Sequence, residues 1–317
     1  MVLRLRDRGR VGRRQPFLKG AESNLGASFY RYLLSMTRCG IVALVGRPNV
    51  GKSTLLNAFV GQHLAIVSPK PQSTRLPVVG LVTTTDAQFI FTDTPGLLDP
   101  EYRLQEVMRA AALATLGEAD VIAYLHPLGD GDAPPLAEIA GLQRAPRAPV
   151  ITVYTKRDLR PSAEPPAGGI AISATTGAGI DGLRETLGAR LPESPFLYPD
   201  DDLATQPLRF FAAEYVREAA FGELREELPY SLACAVDEFR EGETPVYIRA
   251  TVYVERDSQK GMVIGAGGKV IKAIGQKARE RIEALTGQPV FLDLHVKVMP
   301  RWRADASSLK RLGYSIG

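Results

Sequence analysis

The apolar positions of this chain fall into short β-branched runs separated by stretches of helical period. Gly40 to Gly46 reads GIVALVG, an apolar run that fits a buried strand. TLLNAFVGQ follows over 54–62, with apolar residues at 55, 56, 59 and 60, which is helical spacing. The alternation continues with a strand through QFIFTD ending at Asp93, a helix near 101–117 and a strand over 120–125. A helix near 134–144, strands over 149–154 and 169–173, and a helix near 179–190 complete the series. Strands alternating with helices predict an α/β fold: a doubly wound, mostly parallel sheet covered on both faces. Ile66 to Val82 interrupts the pattern with Pro69, Pro71 and Pro77 and reads as a mobile loop.

From 208 onward the order changes. Leu208 to Glu227 reads as an amphipathic helix, and 231–239 and 246–255 as strands. Gly261 to Gly287 reads as helix, sharp Gly turn, helix, with Val270, Ile271, Ile274, Ala278, Ile282 and Leu285 on one face. A strand over 289–298 closes an α+β unit. The proline-rich, acidic stretch 191–207 between the two halves reads as a linker. The expected division is 37–190, linker 191–207 and 208–317. Residues 1–35 are Arg-rich and lack the apolar core of a secretory signal; they read as a basic extension, unstructured or no part of the natural protein.

Composition narrows the class. The 317 residues suit two domains, and 45% apolar content suits a globular core. No apolar run approaches the roughly 20 residues of a membrane span. Cys39 and Cys234 stand far apart, which excludes a disulfide framework. His63, His126 and His295 are isolated and read as structural or solvated. The net charge of +4 hides an asymmetry: 196–257 carry six basic and fourteen acidic residues, whereas 258–317 carry eleven basic and four acidic. A basic C-terminal segment is compatible with a nucleic-acid partner.

The chemistry sits at strand ends. Gly46, Arg47, Pro48, Asn49, Val50, Gly51, Lys52, Ser53 and Thr54 read GRPNVGKST, between the first strand and first helix. This is Gly, four residues, Gly, Lys, Ser/Thr: the glycines let backbone amides converge on a phosphate chain, Lys52 reaches the β- and γ-phosphates, and Ser53 binds Mg²⁺. The bland alternative, a chance Gly-rich turn, is poorer given the flanking strand and helix. Asp93, at the carboxyl end of its strand, faces the ligand crevice and suits Mg²⁺; Thr94, Pro95 and Gly96 continue the turn, Gly96 with an amide for the γ-phosphate. Thr74 on the mobile loop joins Ser53 and Asp93 as the third expected magnesium ligand. Thr155, Lys156 and Asp158 follow the next strand but one, and Ser173, Ala174 and Thr175 the one after. A carboxylate at Asp158 can accept from both guanine N1–H and the exocyclic amine, donors that adenine lacks, which selects GTP and GDP. Lys52, Thr74, Gly96 and Asn49 are the candidate catalytic set.

In the second half, Gly265-Ala266-Gly267-Gly268 matches the Gly-x-x-Gly loop of a KH module, whose bare backbone meets nucleic-acid phosphates. Val263, Ile264, Lys269 and Lys272 flank it and complete the expected RNA-binding set. The competing reading is a helix-capping glycine followed by a loop.

With both halves in view, the chain from Thr37 to Tyr314 resembles the Era family of GTPases. The segments that carry the resemblance are GRPNVGKST, PQSTR, DTPG, SAT, ELPY (Glu227 to Tyr230), VIGAGGKVIKAIG and LGY (Leu312 to Tyr314). It implies a TRAFAC-class P-loop GTPase domain and a type II KH domain. It also implies binding of the 3′ end of small-subunit (16S) ribosomal RNA, a role in 30S ribosomal subunit assembly, and a cytoplasmic protein with peripheral membrane contact. The chain departs from that pattern at Thr155, where the family has an Asn that ties the base loop to the phosphate loop, so weaker guanine binding is expected. It departs again at Ala266 and Gly267, where a Lys is common. Leu97 and Leu98 follow Gly96, with no Gln to orient water. The resemblance gives Asn49 a K⁺ ion beside the β- and γ-phosphates; the plainer role is shaping the loop. The competing functions are a tRNA-modification or other TRAFAC GTPase with an accessory nucleic-acid-binding domain, which needs no KH module, and a binding module with a vestigial nucleotide site, against which intact Lys52, Ser53, Thr74 and Asp93 argue. A monomer is expected.

Overall fold

The computed structural model describes residues 3–4 and 37–314. The basic extension expected over 1–35 lies outside the described residues except for strand β1 (Leu3–Arg4), which pairs antiparallel with β8 (Asp202–Ala204).

The first half is a six-stranded sheet of β2 (Arg38–Val45), β3 (Val78–Thr83), β4 (Ala87–Asp93), β5 (Val121–Pro127), β6 (Val150–Thr155) and β7 (Ile170–Ala171). The spatial order is β3-β4-β2-β5-β6-β7, all parallel except β3. Helices α1 (Lys52–Val60), α2 (Arg103–Glu118), α3 (Leu136–Ala140) and α4 (Ile180–Gly188) connect it. The order reverses around β2, so a ligand crevice opens at the carboxyl end of that strand. Leu55, Leu56 and Phe59 of α1 are buried, and the Phe59 ring stacks on Phe91 of β4 at 4.2 Å. α3 is shorter than expected because Gly141 turns left-handed at φ 65° and ends it.

Strand β3 corrects the expectation of a loop through Val82. The apolar segment VVGLVT pairs antiparallel with β4, and Pro77 stands just outside it, where no ladder N–H is needed. Gly80 inside it has a packing reason: a Cβ there would lie 2.6 Å from Val60 Cγ2 and 2.8 Å from Leu56 Cδ1 of α1.

Residues 191–207 are packed rather than free. The buried Gln88 side chain accepts from the Leu197 and Tyr198 amides at 2.8 and 3.0 Å and donates to the Tyr198 carbonyl at 2.8 Å. Gln206 bridges the Val79 amide and the Pro77 carbonyl, both at 3.2 Å. Leu203 and Ala204 join the core. Gln88 thus gives the segment's backbone partners that a proline-rich chain cannot find in itself, and Gln206 ties the segment to the start of β3.

The second half runs α5 (Leu208–Glu223), α6 (Leu228–Ser231), β9 (Ala233–Arg240), β10 (Val246–Val254), α7 (Asp257–Ile264), α8 (Lys269–Thr286), β11 (Val290–Val298) and α9 (Ala306–Arg311). Central β10 pairs antiparallel with β9 and parallel with β11. Val216, Ala219 and Ala220 of α5 meet Ile274 and Ala278 of α8 over Val252 and Val254. The two halves share a core: Leu104, Val107 and Met108 of α2 pack with Tyr253, Trp302, Leu309 and Tyr314. Among the described residues no helix is long and apolar enough to cross a membrane.

Candidate functional site: a phosphate cleft and a nucleic-acid groove

The loop after β2 is shaped by backbone conformations that its residues allow. Gly46 has φ 152°, and a Cβ there would lie 2.5 Å from the Leu125 carbonyl oxygen. Asn49 and Gly51 have φ 61° and 101°, and α1 starts directly after them. Gly96 presses on this loop, since its Cβ would meet the Pro48 backbone N at 2.7 Å, and the Leu97 amide donates to the Gly46 carbonyl at 3.0 Å. A cleft of about 410 Å³ results, lined by Asn49, Lys52, Ser53, Thr74, Gly96 and Lys156 among others.

At its floor, Ser53 Oγ donates to Asp93 Oδ2 at 2.7 Å and Thr74 Oγ1 to the same oxygen at 3.1 Å; the two hydroxyls are 3.0 Å apart. Asp93 is 0% exposed, and its Oδ1 is buried without a hydrogen-bond partner. Three hard oxygen ligands with one unsatisfied carboxylate oxygen suit a Mg²⁺ ion. Lys52 Nζ donates to the Arg47 carbonyl at 2.9 Å and the Gly46 carbonyl at 3.3 Å, which holds its charge at the loop. Burial pushes the Asp93 carboxyl up to about 6 against the pull of Lys52 and the two hydroxyls, and pushes Lys52 down to about 8.

These buried charges set a pH dependence for the ligand-free protein. Asp93 binds its proton more tightly in the folded than in the unfolded chain, where the usual value is 3.8. Between about pH 4 and 6 the folded state therefore holds more protons, and stability falls as pH rises through that window. Asp93→Asn, which keeps an acceptor without the charge, should gain on the unsubstituted chain across it, by on the order of 2 kcal/mol above pH 6. Denaturant melts of both proteins at pH 4 to 7 check this; a difference that stays constant with pH contradicts it.

Further along the carboxyl edge, Lys156 takes a left-handed φ of 62° and starts the turn Arg157–Leu159 that presents Asp158 at the surface. Ser173 Oγ donates to Asp158 Oδ1 at 2.6 Å, which fixes the carboxylate beside the Ala174–Thr175 turn. The tie expected to be weak at Thr155 is made: its hydroxyl donates to the Val50 carbonyl of the phosphate loop at 2.6 Å. Thr94 donates to the Leu44 carbonyl at 2.8 Å, so its side chain braces the loop. Leu97 is buried with Ala43 and Ile122. Asn49 Nδ2 donates to the Pro69 carbonyl at 2.8 Å, which closes the 66–77 segment over the cleft. Lys70 and Arg75 of that segment have no role in the sequence reading, although Arg75 ends the PQSTR segment that carries the resemblance.

In the second half, Gly265, Gly267 and Gly268 have φ 71°, 59° and 75°, joining α7 to α8 in a turn that bares its backbone. Ala266, Lys269 and Lys272 are exposed around it and Ile264 is half-buried. Val263 corrects the expected RNA-binding set: it is 0% exposed in the core beneath α7 and presents no side chain to a ligand. Beside the turn, a groove of about 430 Å³ runs between α8 and β11, with Ile271, Leu292 and Leu294 as its apolar floor and Lys272 and Arg279 at its lip. Gly275 of α8 lines the groove, where an added Cβ would make ordinary contact with Leu294 Cδ1 at 3.4 Å. A glycine inside a helix was the signal that could have found this groove.

A family model described as 50S ribosome-binding GTPase matches residues 41–156, and one described as KH domain matches 227–303. The GTPase Era of Streptomyces coelicolor is 44% identical over 301 residues, covering 87% of this chain and 95% of that protein. The chain belongs to the Era family of GTPases. The Era of Geobacter metallireducens is 41% identical, covering 88% of this chain and 98% of the relative. Among solved structures, a point variant of Aquifex aeolicus Era bound to GDP·AlF₄⁻ superposes with a TM-score of 0.81 at 37% identity, covering 88% of this chain and 100% of that one. A structure of Era with MgGDPNP and nucleotides 1506–1542 of 16S ribosomal RNA gives the same values. The P-loop GTPase fold and the C-terminal KH domain read from the sequence are those of the Era family, and the domain models match both halves.

Proposed function

We propose that the protein is a GTP-hydrolysing, RNA-binding switch that binds 16S ribosomal RNA near its 3′ end and acts in 30S ribosomal subunit assembly. The observation that carries it is the pairing, in one chain, of the Ser53–Thr74–Asp93 cluster under Lys52 with a Gly-x-x-Gly turn beside an apolar groove. Era proteins of similar structure bind Mg²⁺ with GDPNP, GDP·AlF₄⁻ and a 16S fragment, which supports the same ligands here. Ser53, Thr74 and Asp93 would hold Mg²⁺, which when bound neutralises charge on the phosphates. The phosphate-loop amides and Lys52 bind the phosphate chain, and Asp158 grips guanine. With Thr74 and Gly96 both lining the cleft, a triphosphate draws their two segments inward and its cleavage releases them. The reading carries with it a cytoplasmic, monomeric protein with peripheral contact at the inner face of the cell membrane.

The residue after Gly96 cannot orient water, because Leu97 is apolar and buried. Catalysis then rests on charge and positioning. Asn49 uses its amide nitrogen on Pro69, and its carboxamide oxygen is the hard donor that suits K⁺. Turnover of GTP should be slow and rise when K⁺ replaces Na⁺ at equal ionic strength, with ATP inert. Asn49→Ala should lose the K⁺ response and still bind GDP. Phosphate release assays check both; equal rates in the two salts contradict the K⁺ role, and equal use of ATP contradicts the GTPase reading.

A further inference from the structure

Thr74 reaches the metal cluster from a segment whose grip lies in the other half of the chain. The next residue, Arg75, is 2% exposed. Its guanidinium leaves the nucleotide cleft and enters the C-terminal half. Nη1 donates to the Leu232 carbonyl at 2.6 Å, and Nη2 donates to the Tyr230 and Pro229 carbonyls at 3.1 and 3.4 Å. The rings of Trp302 and Phe221 flank it, 5.6 and 5.9 Å from Cζ. A planar fork is the side chain that serves several carbonyls and two ring faces at once. Lys70, four residues before Thr74, makes a second anchor. Its Nζ donates to the Phe221 carbonyl and, at 2.7 Å, to the Leu224 carbonyl at the end of α5, where a helix favours a cation. Thr74 is thus bracketed by two cations seated in the C-terminal half, one of them its covalent neighbour.

We propose that Arg75 is a positioning residue through which the C-terminal half holds the Thr74 hydroxyl at the Ser53–Asp93 cluster, so that the phosphate site is completed across the boundary between the two halves. The inference rests on the GTPase reading above. Thr74 serves the triphosphate state, whereas the phosphate loop and Lys52 suffice for a diphosphate. Losing the anchor should therefore lower turnover and spare GDP binding, a split that general unfolding does not give.

The test is steady-state hydrolysis and GDP affinity for the full-length chain and for Arg75→Ala, Arg75→Lys, Thr74→Ala and the double variant Thr74→Ala/Arg75→Ala. Arg75→Ala is expected to lose about tenfold or more in kcat while GDP affinity stays within about twofold. In the Thr74→Ala background the same change should add less than about twofold, because the anchor then has nothing to hold. Arg75→Lys, which keeps the charge and reaches fewer carbonyls, should fall between, and it carries the test if Arg75→Ala folds poorly. Full turnover in Arg75→Ala, or losses that multiply in the double variant, overturns this inference and leaves the GTPase reading standing. An unsubstituted chain that turns over no GTP overturns both.

Discussion

Asp158→Asn is expected to convert the protein from a guanine to a xanthine binder. Asp158 stands on a single tight turn, and Ser173 fixes its carboxylate through Oδ1. Two acceptor oxygens match the two donors on the guanine edge. A carboxamide replaces one acceptor with a donor, which leaves the guanine amine facing an N–H, whereas xanthine presents a carbonyl at that position. Sites built to pair a polar edge reject the mismatched edge strongly, because buried polar groups are left without partners. GDP affinity should fall at least about a hundredfold and xanthosine diphosphate affinity should rise, with ADP bound by neither protein. The tie from Thr155 to the phosphate loop is untouched by the change. Calorimetry with the three diphosphates measures this; equal affinity of the unsubstituted chain for ADP and GDP would contradict the assignment of the base site.

Gly267→Asp combined with Gly268→Asp should abolish binding of single-stranded RNA and leave the protein folded. Both glycines have left-handed backbones, which Asp tolerates better than most residues, at roughly 1 kcal/mol each. Both have room: a Cβ on Gly267 meets nothing within 4 Å, and on Gly268 only Ile271 Cγ2 at 3.9 Å. Gly265 is the wrong position for this test, because its Cβ would lie 2.5 Å from Val270 Cγ2 and would break the turn itself. The new carboxylates stand where a phosphate backbone must approach, between Lys269 and Lys272 and the groove. Affinity for a single-stranded RNA should fall at least about a hundredfold, whereas the unsubstituted protein loses affinity progressively as salt rises. Fluorescence anisotropy and a thermal melt together measure it; unchanged RNA affinity in a folded variant refutes the groove as the RNA site.

The parallel sheet and the phosphate loop were legible because period and motif agree there: an apolar run, a Gly-Lys-Ser turn and a helical repeat in sequence. The Ser53–Asp93 pairing followed from the rule that ligands gather at strand carboxyl ends. Less legible was whatever depends on a partner distant in the chain. Strand β3 hid behind Pro77 and Gly80, whose reasons lie in the edge position and in α1. The 191–207 segment looks free in sequence because its partners, the Gln88 side chain and the Pro77–Val79 backbone, lie more than 100 residues away. Thr155 looked like a loss because a residue type was read, whereas its hydroxyl reaches the Val50 carbonyl of the phosphate loop. Val263 flanks the glycines in sequence, yet the helical repeat turns it into the core. The roles of Lys70 and Arg75 are not local, since their carbonyl partners lie about 150 residues further along.

GTP-controlled binding to the 3′ end of 16S ribosomal RNA is tested most directly by crosslinking in cells and sequencing the bound RNA. The unsubstituted chain and the Gly267→Asp/Gly268→Asp variant should be compared, with the purified protein loaded with GTP or GDP as the second arm. The expected reads concentrate at the 3′ end of 16S ribosomal RNA, more of them with GTP than with GDP, and none stand above background for the variant. Reads concentrated on transfer RNA, or spread evenly over all RNA and unchanged in the variant, would contradict that function.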